Sequence, residues 1–153
     1  MNHEAMMHAF FDEYYVAPED FSASRNSYVP AHQRSFVDRM INTIATTSLI
    51  AVLECLCARE LHRYIRVNDE TPVATQMHCR QCAPVPVGSR VRLTGWVERL
   101  DGGGVTFRVK AQDEHEQVCD GQIQFTIVKR DRMAEVVSRK QQTIARRELF
   151  APA

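Results

Sequence analysis

Ala45-Thr-Thr-Ser-Leu-Ile-Ala-Val-Leu-Glu-Cys-Leu-Cys-Ala58 is the stretch on which the fold turns. It contains no Gly or Pro, its only formal charge is Glu54, and apolar residues fall on nearly every side. A helix that is apolar all round is a buried one, and fourteen residues are too few to span a bilayer. The stretch reads as the core helix of a small soluble domain. Glu54 then needs an explanation, because a bare ionised carboxylate in an apolar site is costly. It is either a reactive carboxylate facing a ligand cavity or half of a buried ion pair with one of the chain's arginines.

On the C-terminal side the helix runs on through Arg59-Glu60-Leu61-His62-Arg63-Tyr64, where charges return, and Asn68-Asp69-Glu70 and Pro72 end it. Residues 73–82 form a first extended run, followed by a rigid connector, Ala83-Pro84-Val85-Pro86-Val87-Gly88. Val91, Leu93, Gly95 and Val97 alternate with polar neighbours, the period-two signature of a strand with one buried face. Asp101-Gly102-Gly103-Gly104 is a hairpin turn. Val105, Phe107, Val109 and Ala111, and after a second polar turn Ile123, Phe125 and Ile127, repeat the alternation. From Lys129 onward the chain is charged and is either a helical or a disordered tail. On the N-terminal side, residues 36–40 lead into the helix. Thr46, Thr47 and Ser48 are N-cap types that mark its start, residues 19–35 read as a surface loop, and Tyr14-Tyr15-Val16 reads as a short strand. Residues 1–13 form an arm, residues 14–140 one domain, and residues 141–153 a charged tail. One buried helix followed by an antiparallel meander of about four strands is an α+β, helix-on-sheet arrangement.

The 153 residues suit one domain with a real core. Nineteen Lys+Arg balance nineteen Asp+Glu, which argues against a whole-domain nucleic-acid binder. Met1 to Phe11 has neither the basic start nor the apolar run of a signal peptide. With five cysteines, an odd count, this implies a reducing, cytoplasmic setting with free thiols and no membrane partner. Cys79-Arg-Gln-Cys82 has CxxC spacing, but Cys55 and Cys57 project about 200° apart on a helix. Buried, reduced thiols are therefore expected, with no metal and no cofactor.

The segments 44–65, 73–114 and 119–137 together resemble the fluoroacetyl-CoA thioesterase-like branch of the hotdog superfamily. The most specific parts are Ala45-Thr46-x7-Glu54 on the core helix and the Ala-Pro-Val-Pro-Val-Gly connector. The resemblance implies a hotdog fold, a sheet wrapped around one long helix. It also implies a homodimer, or a dimer of dimers, with acyl-CoA sites at the subunit interface. Members of that branch hydrolyse acyl-CoA with a Thr and a Glu on the core helix and a His on the following strand. Thr46 and Glu54 match the first two. The His position falls on Gln81, the Gly-Thr that often opens the strand is Ala74-Thr75, and an Arg of the last strand falls on Phe125.

On this reading Glu54 is the nucleophile or the general base on a water. Thr46 orients it or the substrate, and backbone N–H groups near Ala74 and Thr75 polarise the thioester carbonyl. Gln81 donates a hydrogen bond but transfers no proton. Eight residues of helix separate Thr46 from Glu54 by about 12 Å. Either Thr46 sits in a bend before the helix, or each site is completed by groups from elsewhere, the partner subunit included. His78 has opposite strand parity to Gln81 and points to the other face, while His62 lies on the emerging end of the helix. Arg80, Lys129, Arg130, Arg132 and Arg139 are candidates for CoA phosphates. The chain is thus expected to be an acyl-CoA or acyl-carrier thioesterase with an altered site. The alternative is a non-hydrolytic acyl-thioester-binding protein, or a lyase or isomerase auxiliary in a biosynthetic pathway. A third reading is a structural dimer without ligand.

Overall fold

The alternation of apolar and polar residues after the core helix builds one face of a sheet, and the core helix lies across that face. The computed structural model describes residues 3–22 and 41–149. The loop expected over residues 23–35 and the lead-in at 36–40 lie outside the described residues. In chain order the elements are α1 (His3–Met6), β1 (Phe10–Val16), a 3₁₀ turn (Glu19–Phe21), α2 (Thr46–Leu61), β2 (Glu70–Gln81), β3 (Arg90–Asp101), β4 (Gly104–Gln112), β5 (Gln117–Lys129) and α3 (Arg130–Leu149). β1 opens at Phe10, inside the stretch read as an arm. α3 continues across residues 140 and 141, where the sequence divides domain from tail. No helix of the described residues is long and apolar enough to cross a membrane.

The five strands form one antiparallel sheet in the order β1-β3-β4-β5-β2. The expected four-strand meander is therefore corrected. Only β3, β4 and β5 follow one another by hairpins, and β2 lies beyond β5 at the far edge. The connector is the reason. Pro84 and Pro86 have no N–H to donate to a strand ladder, and the chain does not fold straight back from β2 into β3. It passes instead beside the start of α2, where the Ile44 N–H donates to the Val85 carbonyl (2.8 Å) and Thr43 bridges to Pro86. Val85 is wholly buried on this path. The β3–β4 turn falls where the glycines predict it, with Gly102 and Gly103 both at positive φ.

Register assigns the faces. Val91, Leu93 and Val97, then Val105, Phe107, Val109 and Ala111, then Cys119, Ile123 and Phe125 point inward and are buried. α2 lays Leu49, Leu53, Cys57 and Leu61 on this surface, an i, i+4 stripe. Elsewhere on α2 the cover is partial: Ile50, Val52, Glu54 and Leu56 are half-buried, and Ala51 and Cys55 are exposed. The helix that reads as apolar all round is thus buried on one side, because one sheet can cover only one side of it. Its N-cap is Ala45, without a side-chain cap, so Thr46, Thr47 and Ser48 form the first turn instead.

The fully buried carboxylate of α2 is Glu60, at 2% exposure. The Arg59 guanidinium donates to Glu60 Oε1 (2.9 Å), and Arg63 pairs with Oε2 (3.0 Å). Arg59 also pairs with Glu13 of β1, which fastens the helix to the edge of the sheet. The ion-pair reading offered for Glu54 therefore belongs to a residue six positions later. Both arginines are exposed enough to turn to water if Glu60 is lost. Glu60→Met, which keeps the volume, is expected to stay within about 1 kcal/mol of the parent. Glu60→Ala, which leaves a cavity and removes the hydrogen bonds, is expected to cost about 2–4 kcal/mol. Urea denaturation of the three proteins checks the pair; equal losses in both variants would contradict this account.

Candidate active site

The residues singled out in the sequence sit on two elements, α2 and the edge strand β2. Thr46 is the first residue of α2 and is exposed; Glu54 lies two turns on and is half-buried. Both belong to one unbroken helix, so the bend that would bring them together is absent and about 12 Å of rise separates them. No hydrogen bond or ion pair joins the Glu54 carboxylate to another described residue. Its charge is felt by the Cys57 thiol, which lies three residues on and is held above its ordinary value chiefly by burial. Cys57 in turn feels Cys79 of β2. The flank of α2 that carries Glu54 and Cys57 therefore looks toward β2.

β2 pairs with β5 on one side only, and Thr75 to His78 are exposed along it. Ala74 pairs with Phe125, Cys79 with Gly121 and Gln81 with Cys119. Those three β2 residues share the inner face with α2. Between Ala74 and Gln76 the register slips and Thr75 drops out of the ladder, its hydroxyl donating to the Gln124 carbonyl at 3.3 Å. A bulge of this kind re-aims backbone groups and is frequent beside active sites. Ala74 faces inward, whereas the Thr75 side chain lines a groove of about 290 Å³ between the outer face of the sheet and α3. Apolar Val73, Val128, Met133 and Val136 form its walls, with Lys129 and Arg132 beside them.

Gln81 ends β2 on the inner face. Its Nε2 donates to the Ala83 carbonyl at 3.2 Å, and its Oε1 is buried without a partner among the described residues. The bond between Ile44 and Val85 draws the start of α2 to this end of the molecule, so Thr46 and Gln81 lie toward the same end. Ala74 and Gln81 are seven residues apart on one strand, about 23 Å. One copy of β2 cannot present both to a single carbonyl group. Phe125, which the resemblance sets at an Arg position, is 1% exposed and meets Phe107 edge-to-face at 6.2 Å. It is a core residue and supplies no cation.

The remaining candidates scatter. His78 points outward with Gln122, and His62 is exposed with its ring nitrogen 2.7 Å from the Ala58 carbonyl. Arg80 lies on the outer face, Lys129 is tied to Glu70 (3.3 Å), Arg130 reaches the Val67 carbonyl, and Arg139 is exposed on α3. Of the five cations, Lys129 and Arg132 are the two that border the groove beside Thr75.

Sequence reasoning missed the cysteines. Cys55 and Cys82 are exposed rather than buried. Cys57, Cys79 and Cys119 gather on the inner face, and the Cys79 thiol donates to the Gln122 carbonyl at 3.9 Å. The neighbouring Cys119 thiol holds Cys79 below the ordinary thiol value against the opposing effect of burial, and Cys119 is raised by Cys79 and by burial. Cys79 and Cys119 are forty residues apart in sequence, and only the β2–β5 register could have revealed them as neighbours. Among the described residues, no group of three or more His, Cys, Asp or Glu is placed to hold a metal ion.

A family model described as fluoroacetyl-CoA-specific thioesterase matches residues 29–131, a span that contains Thr46, Glu54, Ala74, Thr75 and Gln81. Among solved structures, the fluoroacetyl-CoA thioesterase FlK superposes with a TM-score of 0.78 at 18% identity, covering 88% of this chain and 96% of that one. A hot-dog-like protein from Thermanaerovibrio acidaminovorans gives 0.75 at 17% identity over 100% of both chains. A Thermus thermophilus thioesterase superfamily member gives 0.75 at 16% identity over 90% of this chain and 94% of that one. These likenesses establish the hotdog fold. A comparison with curated proteins finds no match.

Proposed function

The chain belongs to the fluoroacetyl-CoA-specific thioesterase family of hotdog proteins, and from that premise we propose that it binds an acyl-CoA or acyl-carrier thioester and hydrolyses it slowly. The observation that carries the proposal is Glu54: a half-buried carboxylate without a fixed partner among the described residues, on the flank of α2 that looks toward a bulged edge strand. A carboxylate so placed is available as nucleophile or as general base on a water. Backbone donors at the Ala74–Thr75 bulge polarise the thioester carbonyl. Thr46 orients the substrate, and Gln81 holds it by a hydrogen bond. We place the protein in the cytoplasm, on its free thiols.

The site is completed by a second copy. Among the described residues β2 has an unpaired edge over Glu70–Gln81, which natural proteins cover or protect. Antiparallel pairing of two β2 strands about a two-fold axis near Met77 and His78 brings Ala74 and Thr75 of one subunit toward Gln81 of the other. That resolves the separation of about 23 Å along one strand. Light scattering at micromolar concentration is expected to give at least twice the chain mass, and a monomer would overturn the assembly.

The second reading, binding without hydrolysis, draws on Gln81 and Phe125. Neither moves a proton, and Phe125 carries no charge. A panel of acyl-CoA substrates followed by free-thiol release separates the two readings. Thermal shift with CoA separates both from a ligand-free role, because a ligand of the folded state raises its apparent stability. Glu54→Gln keeps the shape and is expected to lower turnover of the best substrate by about 10²–10⁴; full retained activity would make Glu54 structural. Gln81→His restores a proton-transferring group and is expected to raise hydrolysis toward about 10²-fold with stability kept. Lost stability and no gain would take position 81 out of the site.

A further inference from the structure

One face of α3 has no role in the proposed function. The helix runs from Arg130 to Leu149, and every residue from Arg130 to Arg146 is exposed. Beyond Arg130, no hydrogen bond or ion pair ties an α3 side chain to the rest of the described chain. A polar helix that its own chain leaves bare gains little from propensity alone and is stabilised by whatever covers it.

The residues are sorted around this helix. Met133, Val136, Val137 and Ile144 are between 36% and 55% exposed. At about 100° per residue they fall within an arc of about 100°, a single apolar stripe. Arg132, Arg139 and Arg146 recur every seven residues on the Val136 side of the stripe, about 40–80° round from Val136. Lys140 falls between Val136 and Met133. Asp131 and Glu135 lie farther round, about 160° from Met133. None of the four cations has an ion-pair partner among the described residues. From Arg132 to Arg146 the row rises about 21 Å.

The face therefore suits an anionic partner that also buries apolar surface along several turns of helix. Free CoA gathers its phosphates at one end and does not follow a row of this length. A nucleic acid follows the row, but a chain with nineteen Lys+Arg against nineteen Asp+Glu lacks the basic excess of its binders. Helices that lie on a lipid surface set Trp, Phe or Leu into it, and this stripe is Met, Val and Ile. An acidic amphipathic helix of a protein matches both features, because its carboxylates and apolar residues repeat at the same pitch. The face also begins in the right place. Arg132, Met133 and Val136 line the groove that contains Thr75, and Thr75 belongs to the bulge assigned to the thioester carbonyl.

We propose that α3 is the docking helix for an acidic carrier domain, and that the acyl thioester is delivered on that carrier rather than as free CoA. This deepens the reading that an acyl thioester binds beside Glu54 and rests on it. The test presents acetyl and octanoyl groups both on CoA and on an acidic acyl carrier protein, with free-thiol release giving kcat/KM. Binding of dye-labelled carrier protein is followed by fluorescence anisotropy. At low salt the carrier is expected to bind, and its thioester to show a kcat/KM at least about tenfold above that of the same acyl-CoA, an advantage that shrinks as salt is raised. Lys140→Glu with Arg146→Glu reverses two exposed charges. This double variant is expected to lower carrier binding and the kcat/KM on its thioester about tenfold, through KM, and to leave acyl-CoA turnover and the thermal midpoint unchanged. Where neither thioester turns over, carrier binding in the parent and its loss in the double variant decide alone. Carrier binding that is absent, or equal in parent and double variant, overturns the proposal. If acyl-CoA is then still turned over or raises the thermal midpoint, the thioester reading stands; if no thioester is bound, both fall. Binding of phosphatidylglycerol vesicles or single-stranded RNA without binding of the carrier also overturns it, and gives the face to that partner.

Discussion

Everything in this molecule follows from how much of α2 a single sheet can cover. The stripe of Leu49, Leu53, Cys57 and Leu61 is buried against the inner face, and burying side chains of this size contributes about 1.5–3 kcal/mol each. The opposite side of the helix is left to water, and its two flanks are left half-covered. A helix wholly enclosed by its own chain would have no place to admit a ligand. The half-covered flank toward β2 is where an acyl chain or a second subunit can come in, and Glu54 stands on it.

Two carboxylates on the same helix illustrate what that partial cover does. Glu60 falls on the covered face and is tied by Arg59 and Arg63, with Arg59 continuing to Glu13 of β1. Its cost of burial is offset by ion pairs, and it fastens the helix to the sheet. Glu54 falls on the flank and has no such tie among the described residues. A carboxylate held by two guanidiniums is a poor nucleophile and a poor base, because its lone pairs are already engaged. A carboxylate without fixed partners can take either role. Six residues of helix, a rotation of about 600°, separate the tied carboxylate from the other.

β2 carries the complementary half of the argument. Its position at the sheet's edge, its bulge at Thr75 and its inward residues Ala74, Cys79 and Gln81 all follow from one topological fact, that the connector carries the chain away from β2. A β2 hairpinned to β3 would have been an interior strand, with both ladders occupied. Gln81 brings a hydrogen-bond donor but no proton carrier to this region, and Phe125 fills core space beside Ala74.

The sequence by itself determined the elements and their character. The period-two alternation of β3 and β4 could be read directly, and so could the Asp101–Gly104 turn and the start of the core helix near Thr46. The α+β class follows from them, and the family resemblance supplied the hotdog name. Local signals suffice there, since alternation, turn glycines and helix starters act over a few residues. The partners across space were decided only by tertiary structure. Which side of α2 would be covered depends on where a sheet formed from residues 10–129 comes to lie, so Glu54 and Glu60 could not be told apart as flank and core. Whether β2 would be an edge or a neighbour of β3 depends on a connector whose path is set by bonds to Ile44 and Ala17. That Cys79 should meet Cys119 is a matter of register, and register between strands distant in the chain is fixed by packing of the whole inner face.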